Sequence, residues 1–338
     1  MNTTPLISVV MAAYNAQEYL DESIESILNQ TYENFEFIII NDGSTDGTLK
    51  IIKNYMLKDC RIILISQDNH GLPYSLNTGI NVAKGKYIAR MDADDISILT
   101  RLGEQVCFME ASPEIGVCGT WAEVFGTESR TIKHPLHHNE LKARLLFNVC
   151  FAHPSVMIRR EVLQKHNISY DLEYVNSQDY KLWSELVDVT KFANIPKVLL
   201  KYRSSSTSIT SITDKCKLAL RYELLSNIFT KTLDEINLDE VNRNNKLHFI
   251  LGLKDRIQSA EPDYKEINKY FNCIVKANAA TKYFDGKSLK RELSFRFISV
   301  FYFNIRKINF SASNALLSRF FYFDLLMVIK RRFFEDHD

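Results

Sequence analysis

Short apolar runs alternate with segments of helical periodicity at the start of the chain, and this alternation restricts the fold more than any other feature. Four runs are typical of buried strands: residues 6–13, 35–40, 61–65 and 86–91. Apolar residues recur at helical spacing over 17–29 and 72–83, between consecutive strands. Because strands that alternate with helices form parallel sheets covered on both faces, we predict an α/β fold with a mostly parallel, Rossmann-like central sheet flanked by helices.

The texture of the sequence changes near residue 213. Residues 100–210 mix strand-like and helix-like segments, whereas residues 214–338 are helix-like and poor in glycine. The length of 338 residues exceeds one average domain, and 46% hydrophobic residues are enough for a sizeable core. We therefore predict a first domain over 1–213 and a helical C-terminal region over 214–338.

Simple features exclude several classes of protein and site. The net charge of +1 selects no partner, and the six cysteines show no CxxC spacing that would indicate a zinc or dithiol site. The N-terminus does not read as a signal peptide, and no apolar run reaches the roughly 18 residues that span a bilayer. We expect a cytoplasmic protein with reduced thiols, whose membrane contact is limited to the surface.

Polar clusters follow three of the four predicted strands. They are Ala13-Tyr14-Asn15, Asn41-Asp42-Gly43 and Asp92-Ala93-Asp94-Asp95. The carboxyl ends of parallel strands meet at one edge of a sheet, and ligands of open α/β sheets bind outside that edge. The three loops therefore predict a binding cleft.

The acidic cluster after the fourth strand has a clear chemical use. Carboxylates on one loop hold a hard divalent cation such as Mg²⁺ or Mn²⁺ through oxygen ligands. Such a cation completes its shell with phosphate oxygens and neutralises the charge on a leaving diphosphate. A solvated acidic turn is the alternative, but the preceding apolar strand, the adjacent Arg90 and the two other polar loops favour a metal site.

Four further residues have two interpretations each. Asp42 either completes a turn or accepts a hydrogen bond from a nucleobase N–H. Tyr14 either stacks on that base or packs at the strand end. Asp179, in the first turn of a predicted helix, is either a partner of the helix dipole or a general base for an acceptor hydroxyl. His153 is either a packed histidine or part of an acceptor site.

Six segments of the chain carry a family resemblance: ISVVMAAYNAQEYLDESIESILNQTY, FEFIIINDGSTDGT, NHGLPYSLNTGINVAKGKYIARMDADD, HPSVMIRR, SQDYKLW and KVLLKYRSSSTSIT. They cover about residues 5–212, and together they resemble family 2 inverting glycosyltransferases of the glycosyltransferase-A fold. The likeness is closest to bacterial enzymes that build capsule, O-antigen or other surface polysaccharides. It implies that residues 1–213 form a catalytic domain that binds a nucleotide-sugar.

The resemblance implies donor-binding roles at the strand edge. Tyr14 would flank the nucleobase, with the backbone of Ala12 nearby, and Asp42 would bind the base, usually uracil. Three further residues would lie along the ribose and diphosphate: Asn77, Arg90 and Asp92. Asn15 belongs to the same predicted substrate site.

The resemblance also implies a metal ligand and a base. Asp94 would bind Mn²⁺ or Mg²⁺, with Asp95 close by. Asp179 would be the catalytic base, in the position of the family's Glu-Asp-Tyr motif, where Gln178 replaces the usual glutamate. Two residues complete the predicted substrate site: His153 and Trp183.

The implied reaction is a single in-line displacement that inverts the anomeric configuration. A hexose would move from UDP-galactose or UDP-glucose to a hydroxyl of a glycan acceptor carried on a polyprenyl diphosphate lipid. A metal-dependent nucleotidyltransferase acting on sugar phosphates is the alternative, although the basic glycine-rich loop expected after its first strand is absent. A Rossmann dehydrogenase is excluded because residues 12–17 contain no glycine.

The segment 287–332 is basic and rich in aromatic residues. It contains ten Lys and Arg residues, opposed only by Glu292 and Asp324. Helices of this composition lie on anionic membranes, here the cytoplasmic face of the inner membrane, or pack their aromatic side chains on the catalytic domain or a second subunit. The sequence leaves both options open, and no nucleic-acid fold motif is present.

Overall fold

The computed structural model describes residues 6–204, 215–252 and 263–304, together with Phe320. The described residues contain one nine-stranded sheet with the order β3-β2-β1-β4-β8-β6-β9-β5, in which β7 pairs with β6. The strands are β1 (Ile7–Ala13), β2 (Phe35–Asp42), β3 (Ile62–Gln67), β4 (Tyr87–Asp92), β5 (Ile96–Ser97), β6 (Ile115–Gly126), β7 (Arg130–Ile132), β8 (Met157–Arg159) and β9 (Lys191–Ser204).

Helices connect and follow these strands. They are α1 (Leu20–Leu28), α2 (Thr48–Met56), α3 (Leu72–Val82), α4 (Arg101–Ala111), α5 (His138–Arg144), α6 (Arg160–His166), α7 (Gln178–Leu186), α8 (Lys215–Glu235), α9 (Asn245–Gly252), α10 (Tyr264–Thr281) and α11 (Gly286–Asn304). Short 3₁₀ turns cover His153–Ser155 and Glu240–Asn242. The predicted α/β class is confirmed.

Strands β1 to β4 form the parallel part of the sheet that the apolar runs predict. β1 lies between β2 and β4, with Ala12 beside Ile40 on one side and Asp92 on the other. Helix α3 packs closely on this layer, because a Cβ added at Gly79 would lie 2.5 Å from Val10 Cγ1. Only glycine permits so short a helix-to-sheet distance at this point.

The rest of the sheet is mixed, so antiparallel pairs join the predicted parallel ones. β8 pairs antiparallel with β4 and β6, and β5 pairs antiparallel with β9. The long strands β6 and β9 run parallel to each other, with irregular register near Thr120 and Trp121. Since β4 ends at Asp92 and β5 begins at Ile96, the acidic loop joins two strands of the same sheet.

The chain divides into two compact units, Met1–Leu136 with Phe151–Ile212 and His137–Cys150 with Thr213–Asp338. The first unit contains the sheet. The second groups α5 with α8 to α11, so an internal segment that the sequence assigns to the first domain belongs with the C-terminal helices. The functional division at residue 213 stays a prediction.

The second unit has an apolar core of its own that includes a buried histidine. His248 Nδ1 lies 2.7 Å from Tyr270 Oη, and its Nε2 lies 2.6 Å from the carbonyl oxygen of Leu146. Its ring stacks on Phe147 at a centroid distance of 4.5 Å. Burial lowers the pKa of His248 from 6.5 to about 4, so the ring is neutral at physiological pH.

Only part of the basic aromatic segment 287–332 is described. Residues 305–319 and 321–332 lie outside the described residues. In α11, Phe297 is fully buried and the guanidinium of Arg296 donates to Glu292 at 2.8 Å, also in the interior. The described portion therefore fits the packing interpretation, and in the described ranges no helix is both long and apolar enough to cross a membrane.

Candidate active site around the acidic loop

The loop between β4 and β5 concentrates negative charge. Among the described residues, Asp92, Asp94 and Asp95 form a group in which one carboxylate oxygen from each residue lies within 4.8 Å of those from the other two. Two full charges at that distance repel by about 3 kcal/mol at an effective dielectric constant of about 20. Such an arrangement is costly unless a cation or a proton relieves it.

Arg90 neutralises one of the three carboxylates. Its guanidinium grips Asp92 in a two-bond ion pair, with Nη1 2.5 Å from Oδ2 and Nη2 close to Oδ1. Burial disfavours the charged guanidinium, but the carboxylate outweighs burial, and the pKa of Arg90 is raised. Because both oxygens of Asp92 face Arg90, Asp92 has little left to offer a metal, in keeping with its predicted place beside the diphosphate.

Asp94 and Asp95 have no such partner. Burial, reinforced by the charge of Asp92, raises the pKa of Asp94 to about 6 and raises that of Asp95 well above its usual value. Asp95 is 1% exposed, and its Oδ2 contacts no hydrogen-bond partner within the described part of the chain. Crowded, buried carboxylate oxygens fit a hard divalent cation, which would satisfy the unpaired oxygen and remove the repulsion. Asp95 is therefore a candidate ligand beside the predicted ligand Asp94.

Asp42 ends β2 and is turned into the protein. Its Oδ1 accepts from Gln67 Nε2 at 2.8 Å and from the His70 N–H at 3.0 Å, and its Oδ2 accepts from the Gly71 N–H at 2.9 Å. Gly71 has a φ of +87°, a conformation that suits glycine, and precedes α3. Asp42 therefore holds the segment that precedes α3, which neither interpretation anticipates, and one lone pair at most remains for a base.

The loop after β1 presents one exposed ring. Tyr14 is 53% exposed, so its face is available to a ligand. Asn15, which has a φ of +48°, instead ties this loop to the loop after β2. Its Oδ1 accepts from the Thr45 N–H at 2.9 Å, and its own N–H donates to Ser44 Oγ at 3.1 Å. Asn15 therefore holds the two loops together, and its predicted place in the substrate site stays a prediction.

Asn77 makes contacts that the sequence does not indicate. Its side-chain amide makes two hydrogen bonds to the backbone of Tyr170, donating to the carbonyl at 2.7 Å and accepting from the N–H at 2.9 Å. Asn77 therefore holds the segment that carries Tyr170 against α3. One amide N–H remains, so the predicted contact with ribose or diphosphate stays a prediction.

Tyr170 and His153 form a buried pair that the sequence reveals only in part. His153 Nε2 lies 2.7 Å from Tyr170 Oη. Burial and the charge of Arg90 lower the pKa of His153 well below its usual value, so the imidazole is neutral. Burial raises the pKa of Tyr170; Arg90 opposes this, whereas Asp179 and Asp92 reinforce it. The phenol therefore lies within electrostatic range of both the acidic loop and the predicted base.

Asp179 lies in the first turn of α7, half-buried, and accepts from the N–H of Tyr180 at 2.8 Å. Trp183 on the same helix is completely buried, with its ring edge-on to His153 at 6.0 Å. The predicted contact between Trp183 and substrate is therefore wrong, because no part of the side chain reaches a surface. Its role is to pack the helix that carries Asp179.

The sequence reasoning missed Arg203, at the end of β9. Its backbone N–H donates to Asp95 Oδ1 at 2.8 Å, and its Nε donates to the carbonyl of Asp94 at 2.8 Å. The only sequence signal was its place in the segment KVLLKYRSSSTSIT, which gave no reason to bring it to the acidic loop.

Comparisons with known proteins show the family of the chain. The model of the family "Glycosyl transferase family 2" matches residues 8–166. An uncharacterized glycosyltransferase of Haemophilus influenzae is 39% identical over 63% of this chain and 69% of that protein. The O-antigen biosynthesis glycosyltransferase WbnJ of Escherichia coli is 36% identical over 60% of this chain and 81% of that protein.

Solved structures share the fold at low identity. TarS 1–349 of S. aureus, in complex with UDP-GlcNAc, aligns over 89% of this chain and 91% of that chain with a TM-score of 0.59 and 16% identity. The mannosyltransferase PcManGT of Pyrobaculum calidifontis, in complex with GDP-Man and Mn²⁺, aligns over 99% and 89% with a TM-score of 0.54 and 14% identity. None of these four proteins supports the nucleotidyltransferase alternative.

These neighbours have the glycosyltransferase-A fold, which confirms the predicted fold. The relatives are glycosyltransferases by name, and this chain covers more than two thirds of each. The chain therefore belongs to glycosyl transferase family 2 and is a glycosyltransferase.

Proposed function

We propose that the protein transfers a hexose from a nucleotide-sugar to a hydroxyl of a glycan acceptor, with inversion at the anomeric carbon. The observation that carries this proposal is the acidic loop, in which one carboxylate is neutralised by Arg90 and two remain crowded and unneutralised. A phosphate-bearing ligand that arrives with a divalent cation complements both features, since Arg90 is an anion partner and the carboxylates are cation ligands.

In this proposal Asp94 and Asp95 hold Mn²⁺ or Mg²⁺. When bound, the cation neutralises the charge that develops on the departing nucleoside diphosphate. Arg90 lies beside the diphosphate, and Asp92 orients Arg90 through their two-bond ion pair. The complex of PcManGT with Mn²⁺ supports the choice of cation by analogy of fold.

Asp179 is proposed as the general base that takes the proton of the attacking hydroxyl. Its position at the start of α7 leaves the carboxylate half-buried, where it can meet both water and an acceptor. A single displacement on one face of the sugar requires only this base and no covalent intermediate, so the configuration inverts. The neutral pair of His153 and Tyr170 is within electrostatic range of Asp179 and Asp92, and we propose that it orients the acceptor.

The donor is proposed to be UDP-linked, with galactose or glucose as the sugar. The exposed Tyr14 offers a stacking face for the base, and the binding of UDP-GlcNAc by TarS, a protein of the same fold, is consistent with a uridine nucleotide. The name of WbnJ supports surface polysaccharide biosynthesis. An acceptor on a polyprenyl diphosphate would place the protein at the cytoplasmic face of the inner membrane, with contact through 287–332.

A screen of nucleotide-sugars tests the proposal. The full chain is incubated with each donor, with and without Mn²⁺, and both nucleotide release and the melting temperature are recorded. We expect one UDP-sugar to be hydrolysed slowly and to raise the melting temperature only with Mn²⁺, and Asp94→Asn to lose both effects. The absence of a metal-dependent effect with every donor would refute the proposal.

A further inference from the structure

We propose that Arg203 is a positioning residue that holds the acidic loop in a cation-ready shape before any metal binds. The inference rests on the proposed function, since it concerns the residues assigned there to the cation. Arg203 does not contact a carboxylate of Asp94 with its guanidinium. It acts on the backbone, which leaves the carboxylate of Asp94 free to face a ligand.

Two hydrogen bonds connect Arg203 to the loop. The backbone N–H fixes Asp95 through its Oδ1 at 2.8 Å, and Nε fixes the carbonyl of Asp94 at 2.8 Å. The far end of the guanidinium is anchored elsewhere, because Nη2 lies 2.5 Å from Oε2 of Glu22 on α1. One side chain therefore links the loop between β4 and β5 to the first helix.

Aromatic rings hold the guanidinium plane. It lies over the ring of Tyr19, 4.1 Å from the centroid, and over the ring of Phe125, 4.5 Å from the centroid. Phe125 is also the β-sheet partner of Arg203, so the ring and the guanidinium belong to neighbouring strands. Because two rings and a carboxylate contact the guanidinium, the arginine side chain is only 12% exposed.

The backbone on the far side of the loop is fixed by the same strand. Ile96 and Ser97 pair with Lys201 and Leu200 of β9, immediately before Arg203. β9 therefore holds the acidic loop twice, through its pairing with β5 and through the hydrogen bonds of Arg203. Without these contacts, repulsion among three carboxylates within 4.8 Å would open the loop, and a cation would have to reassemble it.

Arg90 and Arg203 contact the acidic loop in different ways. Arg90 occupies both oxygens of Asp92, so it competes with a cation for that carboxylate. Arg203 donates to a carbonyl and, through its backbone, to only one oxygen of Asp95, whose Oδ2 is left without a partner in the described part of the chain. Arg203 therefore prepares the loop without blocking it.

Cation affinity measures this role directly. Free Mn²⁺ is followed by electron paramagnetic resonance while the full chain is added, with no nucleotide present. Arg203→Ala should weaken Mn²⁺ binding at least tenfold. Arg203→Lys keeps the charge and the backbone bond but loses the planar group. Its Mn²⁺ affinity should lie between those of the wild-type chain and Arg203→Ala. Glu22→Ala, which removes only the outer anchor, should weaken binding by a few fold.

Arg61 provides a matched control. Its guanidinium also lies over one aromatic ring, Phe35 at 4.2 Å, and also pairs with a carboxylate, Asp59. It precedes β3, so it lies at the opposite end of the sheet from the acidic loop. Arg61→Ala should leave Mn²⁺ affinity unchanged, even if it lowers the melting temperature as much as Arg203→Ala.

Transfer kinetics add a second readout. With the donor found by the nucleotide-sugar screen, Arg203→Ala should regain most of its kcat at saturating Mn²⁺, which a misfolded variant would not do. Wild-type Mn²⁺ affinity in Arg203→Ala and Arg203→Lys would overturn the inference and leave the proposed function intact. A wild-type chain that binds no Mn²⁺ would overturn both.

Discussion

Replacing Asp94 with asparagine should make the metal-free protein more stable at neutral pH, although it removes a proposed metal ligand. Burial and the charge of Asp92 raise the pKa of Asp94 from 3.8 to about 6. An aspartate whose pKa is higher in the folded than in the unfolded state costs folding free energy once it ionises. Asparagine keeps the shape of the side chain and removes that cost.

The size of the effect follows from the difference between the two pKa values. From 3.8 to about 6 is about two pH units, and each is equivalent to about 1.4 kcal/mol. The ceiling is therefore about 3 kcal/mol, and solvent screening of this partly exposed side chain reduces the expectation to about 1–2 kcal/mol. The penalty is absent below the unfolded pKa, grows as the pH rises toward 6, and is complete above about pH 7.

Tryptophan fluorescence isolates the relevant part of the molecule. The chain has two tryptophans, Trp121 and Trp183, and both lie in the unit that contains the sheet. Urea unfolding is followed in EDTA from pH 4.5 to 8, with the exposed Asp68→Asn as control. Adding Mn²⁺ should make the wild-type chain more stable than Asp94→Asn, because only the wild-type chain gains the free energy of binding.

Two results would refute this reasoning. The first is an Asp94→Asn variant that is no more stable than the wild-type chain at pH 7.5 in EDTA. The second is a gain of equal size at pH 4.5 and pH 7.5, since a gain without pH dependence does not come from the ionisation of Asp94.

Three further predictions concern the base, the donor and the second unit. Asp179→Asn should abolish transfer while donor affinity, measured by calorimetry, is retained; near-normal turnover would contradict the assignment. Tyr14→Ala should weaken UDP binding about tenfold if a base stacks on the ring, as base–aromatic contacts are worth about 1–3 kcal/mol, and an unchanged affinity would exclude stacking. His248→Phe should destabilise the second unit by about 2–5 kcal/mol, because it leaves Tyr270 Oη and the Leu146 carbonyl buried without partners; circular dichroism should show the loss, and an unchanged helix melting curve would contradict it.

The parallel half of the sheet could be predicted from the sequence because its signal is local. Each strand from β1 to β4 is a continuous apolar run that ends in polar residues, and β1 at Ile7–Ala13 lies within the predicted 6–13. The mixed half could not, since β8 has three residues and β5 two, too few to show any periodicity. The long pairing of β6 with β9 brings together residues far apart in the chain, which no local pattern records.

The candidate site shows the same division. Tyr14 and the acidic loop follow predicted strands, and Arg90 lies near the end of one. The structure places them at the edge where such strands end. The bond from Arg203 to Asp95 spans 108 residues and depends on the β9 register, so no local pattern indicates it. Trp183 was misassigned because an aromatic residue four positions after the predicted base is equally compatible with a substrate contact and with a buried helix face.

The polar groups at this edge fall into two kinds, and the difference is physical. Asp42, Asn15 and Asn77 accept or donate several hydrogen bonds within the protein, and their removal would damage the scaffold. Asp94 and Asp95 are instead crowded, and the buried Oδ2 of Asp95 has no hydrogen-bond partner in the described part of the chain. A buried polar group without a partner costs free energy, so its persistence favours a ligand that completes it.

The sequence alone does not distinguish the two kinds, because a structural aspartate and a metal-binding aspartate can occur in the same local pattern. Asp42 and Asp94 both follow an apolar strand, and both match a family segment. What separates them is the supply of nearby donors: the N–H groups of His70 and Gly71 reach Asp42, whereas a neighbouring carboxylate faces Asp94. A carboxylate at this edge with few hydrogen-bond donors nearby, such as that of Asp94, is therefore the one that can bind a cation.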